Sequence, residues 1–126
     1  MNYLARILAV TTAAFTINQA VAHGVPLPQH GGIMDDAGLV AVEMVAKNRT
    51  VELFVTDDDA PVDARNIKGV LTVTSASGAK KETPIAAVSG NQLRSQDVEV
   101  PPGSRVTALL TMADGTTKVS ARFKVQ

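Results

Sequence analysis

The sequence predicts an all-β protein, namely an antiparallel immunoglobulin-like β-sandwich of six to seven strands preceded by an extended N-terminal arm. After residue 37, short runs that alternate apolar and polar residues recur, and turn-forming residues separate them roughly every 8–12 positions. Within residues 38–56, β-branched residues and a period of two dominate, which argues against an amphipathic helix. We therefore expect residues 38–126 to form the sandwich domain.

The first two predicted strands form a hairpin. Residues 38–47 and residues 50–57 each carry an apolar side chain at every second position. The inward-facing positions of the two runs are Val40, Val42, Met44, Ala46, Val51, Leu53 and Val55. The short polar pair Asn48-Arg49 joins them, as expected for a tight turn between antiparallel strands.

The later strands are predicted at residues 70–76, 80–88, 104–112 and 117–125. Pro84 lacks a backbone N–H group, so we expect its strand to lie at an edge of the sheet. The last strand alternates most regularly, and Asp114-Gly115 precedes it. Asp-Gly between two such runs is a strong hairpin signal.

Residues 1–22 have the pattern of a secretory signal peptide. Arg6 supplies a positive charge, residues 7–17 are uncharged and mainly apolar, and Ala20-Val21-Ala22 forms a small-x-small cleavage site. The apolar stretch is shorter than the roughly 20 residues that a membrane-spanning helix needs. We therefore expect an exported protein of the bacterial periplasm, without a stable membrane anchor, whose mature chain begins at His23. A competing cut after Gly24 would remove His23.

The composition argues against several classes of function. The chain has 12 basic and 12 acidic side chains, so no excess of basic charge favours a nucleic-acid partner. It has no cysteine, which excludes a disulfide framework and a lipid-modified N-terminal cysteine. After residue 22, Phe54 and Phe123 are the only aromatic side chains, and no nucleophile motif is present. We therefore expect a protein that is not an enzyme.

Both histidines of the chain, His23 and His30, lie in the predicted arm of residues 23–37. A histidine at a free N-terminus offers its α-amine and its imidazole Nδ1 to one metal ion, and a second imidazole completes the set of nitrogen ligands called a histidine brace. Such ligands favour Cu(II), with zinc as the alternative. Seven extended residues span at most about 25 Å, so His30 can reach the same ion. Met34 adds a thioether, which suits Cu(I).

Two other interpretations stay open at this point. The arm is also consistent with an ordinary tail whose histidines bind nothing. The aspartates of residues 57–63 are best explained as turn formers and solvated charges. A site for a hard cation such as calcium is the alternative for these aspartates.

Residues 23–63 resemble small exported bacterial proteins that accompany heavy-metal and copper efflux systems. The matching residues are the N-terminal His-Gly, the His-Gly-Gly of residues 30–32, Glu43 in a strand, and the aspartates that begin at Asp57 before Pro61. A similar His-Gly-Gly opening occurs in the periplasmic adaptor subunits of metal-exporting efflux pumps. The resemblance implies a role in metal resistance, with an efflux complex or a metal-receiving protein as partner.

Taken together, the residues and the resemblance predict a periplasmic metal-binding protein that sequesters or delivers its ion. Copper is the favoured metal, and His23, His30 and Met34 are the candidate ligands. The alternative is a non-enzymatic β-sandwich module that docks on an envelope efflux complex, with the arm as a tether or an added strand.

Overall fold

The computed structural model describes residues 24–126, so the predicted signal peptide and His23 lie outside the described residues. No helix in this part of the chain is long and apolar enough to cross a membrane. The described residues form nine β-strands: β1 Ile33–Asp36, β2 Ala41–Lys47, β3 Thr50–Asp57, β4 Ala60–Pro61, β5 Lys68–Thr74, β6 Lys80–Ser89, β7 Gln92–Gln96, β8 Arg105–Thr111 and β9 Lys118–Lys124.

All of these strands belong to one antiparallel sheet. The hydrogen-bonded order is β1-β2-β3-β7-β6-β5-β8-β9, and the two-residue strand β4 pairs with the end of β3. Because β1 also contacts β9, the sheet curls into a nearly closed barrel. The predicted all-β, antiparallel class is confirmed, and the single curled sheet is closer to a barrel than to the immunoglobulin-like sandwich that the sequence predicts. The strands number nine rather than six to seven, because β1 and β4 are short strands in segments that we expected to be the arm and a loop.

The interior is filled by the side chains of alternating residues. In β3, Val51, Leu53 and Val55 are fully buried, while the residues between them face outwards. β9 alternates between buried and exposed residues in the same way. The inward faces predicted for the first hairpin and the last strand are therefore confirmed, except that Ala46 is exposed.

Two hairpin turns use consecutive residues with positive φ. Asn48 (φ 52°) and Arg49 (φ 61°) link β2 to β3, and Asp58 (φ 45°) and Asp59 (φ 66°) link β3 to β4. Two successive left-handed residues form the type I′ turn, whose twist matches that of the flanking strands. Asn and Asp tolerate this conformation better than most residues. The predicted turn at Asn48-Arg49 is confirmed, and Asp58 and Asp59 act as turn formers.

Pro84 lies inside the sheet, so the prediction of an edge strand is wrong. β6 pairs with β5 on one side and with β7 on the other. The pairing with β7 covers only residues 86–89 of β6, and Pro84 lies beyond its end. The Pro84 carbonyl oxygen accepts a hydrogen bond from the Ser95 hydroxyl at 2.8 Å. Because the N and C=O of one residue point to the same side of an antiparallel strand, the missing N–H of Pro84 breaks no ladder bond.

A side chain closes the seam between β1 and β9. The Asp35 carboxylate accepts a hydrogen bond from the backbone N–H of Arg122, with an N···O distance of 2.8 Å. This N–H points away from β8 and has no strand partner, as is usual at an exposed edge. The two strands run antiparallel, since strand direction alternates along the whole path.

Candidate functional site

The candidate site lies on the outer face of the first three strands. Met34 in β1 is directly opposite Glu43 in β2, and Glu43 is directly opposite Phe54 in β3. These side chains form one row across the sheet, in which neighbouring Cβ atoms lie about 4.5–5.5 Å apart. Residues 29–32 of the arm cover the row. Glu43 is therefore only 3 % exposed, although it faces away from the core.

Glu43 holds the arm through several hydrogen bonds. Its Oε1 accepts the backbone N–H of Gln29 at 2.8 Å, and its Oε2 accepts those of His30 at 2.8 Å and Gly32 at 2.9 Å. The Nδ1 atom of His30 lies 2.9 Å from Oε1. Hydrogen bonds to an ionised acceptor are shorter and stronger than neutral ones. One buried carboxylate thus fixes both the backbone of the arm and the ring of its histidine.

Two glycines allow the backbone to approach this carboxylate. Gly31 has a φ of +73°, a conformation that glycine adopts without a steric penalty. A Cβ atom on Gly32 would lie 2.9 Å from Glu43 Cγ, and closer still to the carbonyl oxygen of Met44. The His-Gly-Gly sequence is therefore what a loop wrapped around a carboxylate requires.

The imidazole ring of His30 stacks on the ring of Phe54. The ring centroids are 3.6 Å apart and the planes are inclined by 6°. The His30 side chain is 45 % exposed, so one side of the ring faces solvent while the other packs on Phe54. Stacking and the Nδ1 contact together fix both the position and the rotation of the ring.

The hydrogen bond to Glu43 determines which nitrogen of His30 is available. An ionised carboxylate only accepts hydrogen bonds, so Nδ1 carries the proton in this contact. In the neutral ring, Nε2 then holds the electron pair that a metal ion can bind. No residue of 24–126 forms a hydrogen bond with Nε2. Carboxylate–histidine contacts of this form orient the histidine ligands of many metal sites.

Glu43 is ionised at neutral pH despite its burial. Burial alone raises the pKa of the carboxyl group, because it removes water from the charged form. The hydrogen bond with His30 and those from the backbone of Gln29, Gly32 and His30 lower the pKa. The lowering contributions prevail, so the pKa of Glu43 lies below its ordinary value of 4.5.

His30 and Met34 line one cavity of about 460 Å³. Gly24, the first described residue, lies on the same wall, and Asp59 and Asn91 add polar groups to the lining. A larger cavity, of about 620 Å³, lies beside β4 and the β6–β7 turn, and neither histidine nor methionine lines it. The sulphur and imidazole ligands that the sequence predicts therefore belong to the smaller cavity.

The aspartates after β3 have local structural partners. Asp58 and Asp59 occupy the turn described above, and the Oδ1 of Asp63 accepts the backbone N–H of Arg65 at 2.9 Å. This is the local turn that short acidic side chains favour. The prediction that these residues form turns is confirmed.

Of the three predicted ligands, His30 and Met34 lie in the same cavity, and His23 is outside the described residues. Within residues 24–126, no three His, Cys, Asp or Glu side chains are grouped so that they could hold a metal ion. Sequence reasoning noticed Glu43 only as part of a resemblance and assigned no role to Phe54. Neither residue has a local signal for its role, because the segment that Glu43 holds lies 11–14 positions earlier in the chain.

Comparisons with known proteins identify no relative, since no protein-family model, no curated protein and no solved structure matches the chain. A function for the site must therefore be argued from its own chemistry.

Proposed function

We propose that the protein binds a metal ion, with copper favoured, and sequesters or delivers it in the periplasm as part of metal homeostasis or resistance. The observation that carries the proposal is the Glu43–His30 pair at the wall of the cavity that also contains Met34. In this pair, Glu43 fixes the tautomer and orientation of a histidine whose Nε2 has no other partner among the described residues.

The proposed ligands combine nitrogen and sulphur. His30 supplies Nε2, and Met34 supplies a thioether from the same cross-strand row as Glu43. His23 directly precedes Gly24, whose backbone lines the cavity, and it would add an imidazole and, after cleavage behind Ala22, an α-amine. Nitrogen ligands suit Cu(II) and a thioether suits Cu(I), so such a set can hold either oxidation state. Zinc is the alternative ion.

The rigidity of the ring supports this assignment. The ring of His30 is fixed before any metal ion binds. Three features fix it: the stack on Phe54, the contact with Glu43 and the close approach of the backbone at Gly32. A side chain that is already oriented loses less conformational freedom when it binds a metal ion. The outer partner of a metal-bound histidine typically changes metal affinity about 10- to 100-fold, so Glu43 contributes to affinity without touching the ion.

Cu(II) electron paramagnetic resonance tests the proposal. The protein is purified as the cell produces it, and its mass is determined so that cleavage after Ala22 is established. We expect nitrogen hyperfine structure that changes when one residue is added before His23, and that weakens in His30→Ala. Glu43→Gln should weaken Cu(II) binding by about 10- to 100-fold. Identical weak spectra in all four proteins would refute the proposal.

A second candidate function has its own support in the arm. All the hydrogen bonds of the Glu43 carboxylate are made within the chain, which is also what a purely structural clamp requires. In that case the protein is a non-enzymatic β-sheet interaction module that docks on an envelope efflux complex. Deleting residues 23–32 separates the two functions, because a docking module would keep metal resistance in cells while a metal-binding arm would lose it.

A further inference from the structure

The barrel carries a strongly basic outer face that is centred on β5 and β8, across the barrel from β2 and β3, and that adjoins β1 only at the seam beside β9. We call it the basic face, and it consists of the outward-facing residues of β6, β5, β8 and β9. Its basic members are Lys68, Lys80, Arg105, Lys118, Arg122 and Lys124, and its acidic member is Glu82. The strand order places β5 and β8 four positions away from β2 and β3, across the barrel.

The registers arrange these residues in rows. One end row contains Lys80, Thr74, Arg105 and Lys124, and the other contains Ala86, Lys68, Thr111 and Lys118. Two rows lie between the end rows: one of Glu82, Thr72, Thr107 and Arg122, and a mainly apolar one of Pro84, Val70, Leu109 and Ser120. Val70 is 41 % exposed and Leu109 is 44 % exposed. Lys68 and Lys118 thus border the exposed apolar strip on one side. On the other side the neighbouring row contains Arg122 and Glu82, and the basic end row lies beyond it.

Acidic groups at this face are Glu82 in β6 and Asp35, whose carboxylate accepts the backbone N–H of Arg122 at the seam. No ion pair within 4.0 Å among residues 24–126 involves any of the six basic side chains. The aspartates of residues 57–63 lie at the far end of β3, on the opposite wall. A chain with equal numbers of acidic and basic residues therefore presents a one-sided electrostatic field.

We propose that the basic face docks reversibly on the surface of a bilayer that contains anionic phospholipids. Four strands about 4.8 Å apart and seven residues long give a face of about 450 Å². That is well below the roughly 800 Å² that each partner buries in a stable protein complex. A lipid surface needs no such area, because each basic residue close to it strengthens binding about fivefold.

The docked orientation has a defined geometry. Lysine and arginine heads of the two end rows and the head of Arg122 contact lipid phosphates, while Val70 and Leu109 face the region between the headgroups. The arm, Glu43 and the cavity then face away from the membrane, so the metal site stays open to solvent. The attachment is peripheral and needs no membrane-spanning segment.

Vesicle flotation tests the proposal, with the protein purified as the cell produces it. The probes are phosphatidylcholine vesicles with and without phosphatidylglycerol, each at low and at high salt. We expect the protein to float only with the anionic vesicles at low salt, because salt screens surface charge. Arg122→Glu combined with Lys124→Glu should weaken this binding at least about tenfold.

The matched control combines Lys47→Glu with Arg65→Glu. It changes the net charge by the same amount, but at two exposed positions outside the basic face. Residues 1–22 are unchanged in both double variants. Flotation of this control like the wild type supports the proposal. Equal loss of binding in both double variants would overturn it, since net charge alone would then decide. No flotation of the wild type would also overturn it, and would favour an acidic protein as the occupant.

Discussion

Glu43 and Asp114 both organise backbone N–H groups, in opposite settings. Asp114 accepts the N–H groups of Thr116 and Thr117, two and three residues further along the chain, and it lies in the exposed β8–β9 turn. Glu43 accepts N–H groups from residues 11–14 positions earlier and is almost completely buried. One carboxylate shapes a single turn, whereas the other attaches a separate segment of chain to the barrel.

This difference determines what sequence reasoning can find. Asp114 acts within one turn, and Asp-Gly between alternating strands predicts that turn directly. Glu43 acts on a segment that only the folded sheet brings close, so a period-two pattern places it on a solvent-facing side. Four changes test or sharpen the comparison between the two carboxylates.

The largest effect is expected from Glu43→Gln. The substitution removes the charge and replaces one accepting oxygen with an NH₂ group, which leaves a buried N–H of the arm without an acceptor. We expect the free energy of unfolding to fall by about 2–4 kcal/mol, as measured by urea titration. Hydrogen exchange at Gln29 and His30 should accelerate. The exposed Glu99→Gln, which removes an ion pair with Arg49, should change stability by less than about 1 kcal/mol. Equal losses in the two variants would contradict the proposed role of Glu43.

The next largest effect is expected from Gly32→Ala. The added methyl group would collide with the backbone of Met44, so the arm must move away from Glu43. We expect a loss of about 1–3 kcal/mol in stability and faster hydrogen exchange at His30. Gly24→Ala is the control, because a Cβ there meets no atom of the described residues within 4 Å. An alanine that leaves His30 as protected as in the wild type would show that the close approach is unnecessary.

A smaller effect is expected from the stacked pair. Phe54→Leu keeps an apolar side chain of similar reach but removes the flat ring on which His30 lies. A double-mutant cycle with His30→Ala should give a coupling energy of about 0.5–1.5 kcal/mol. A coupling energy near zero would mean that the contact with Glu43 alone positions the ring.

The smallest effect concerns acid and the β8–β9 turn. The Thr117 hydroxyl and the backbone N–H groups of Thr117 and Thr116 lower the pKa of Asp114 from 3.8 to about 2. A lowered pKa stabilises the fold above pH 3.8, and this contribution is lost as the pH falls towards 2. Carboxyl ¹³C NMR titration should give the lowered value. Asp114→Asn should remove this part of the acid dependence and leave the arm intact, and a titration near 3.8 would contradict the prediction.

The sequence alone predicted the parts of the molecule that depend on local pattern. The strands of the first hairpin, the turn at Asn48-Arg49 and the alternation of β9 all follow from residues near one another. Sequence reasoning failed on two features, because both depend on the sheet as a whole. Pro84 led to the prediction of an edge strand, but β6 accommodates it inside the sheet because the pairing with β7 ends before Pro84. The charge balance gave no sign of the basic face, since counting charges ignores where the strands place them.

Sequence reasoning identified only part of the candidate site, because the rest depends on contacts between distant residues. His30 and Met34 were selected by their residue types, and the structure adds the two residues that position the ring. Neither Glu43 nor Phe54 has a sequence signature of its own, because each acquires its role from cross-strand neighbours and from a segment more than ten residues away. The contribution of His23 stays a prediction.

The seam between the first and last strands also bears on how the gene could be rearranged. Because β1 and β9 are antiparallel neighbours, the beginning of one lies at the same end of the barrel as the end of the other. A circular permutant could connect Gln126 to His23 through a flexible linker long enough to run along the barrel to the cavity that Gly24 lines, and open the chain at the exposed turn of Ser77-Gly78. Such a protein would keep the strand pairing and the carboxylate that holds the arm, but His23 would have no free amine. Under the proposed function, a measurement of Cu(II) binding by this permutant would separate the contribution of the chain terminus from that of the folded arm.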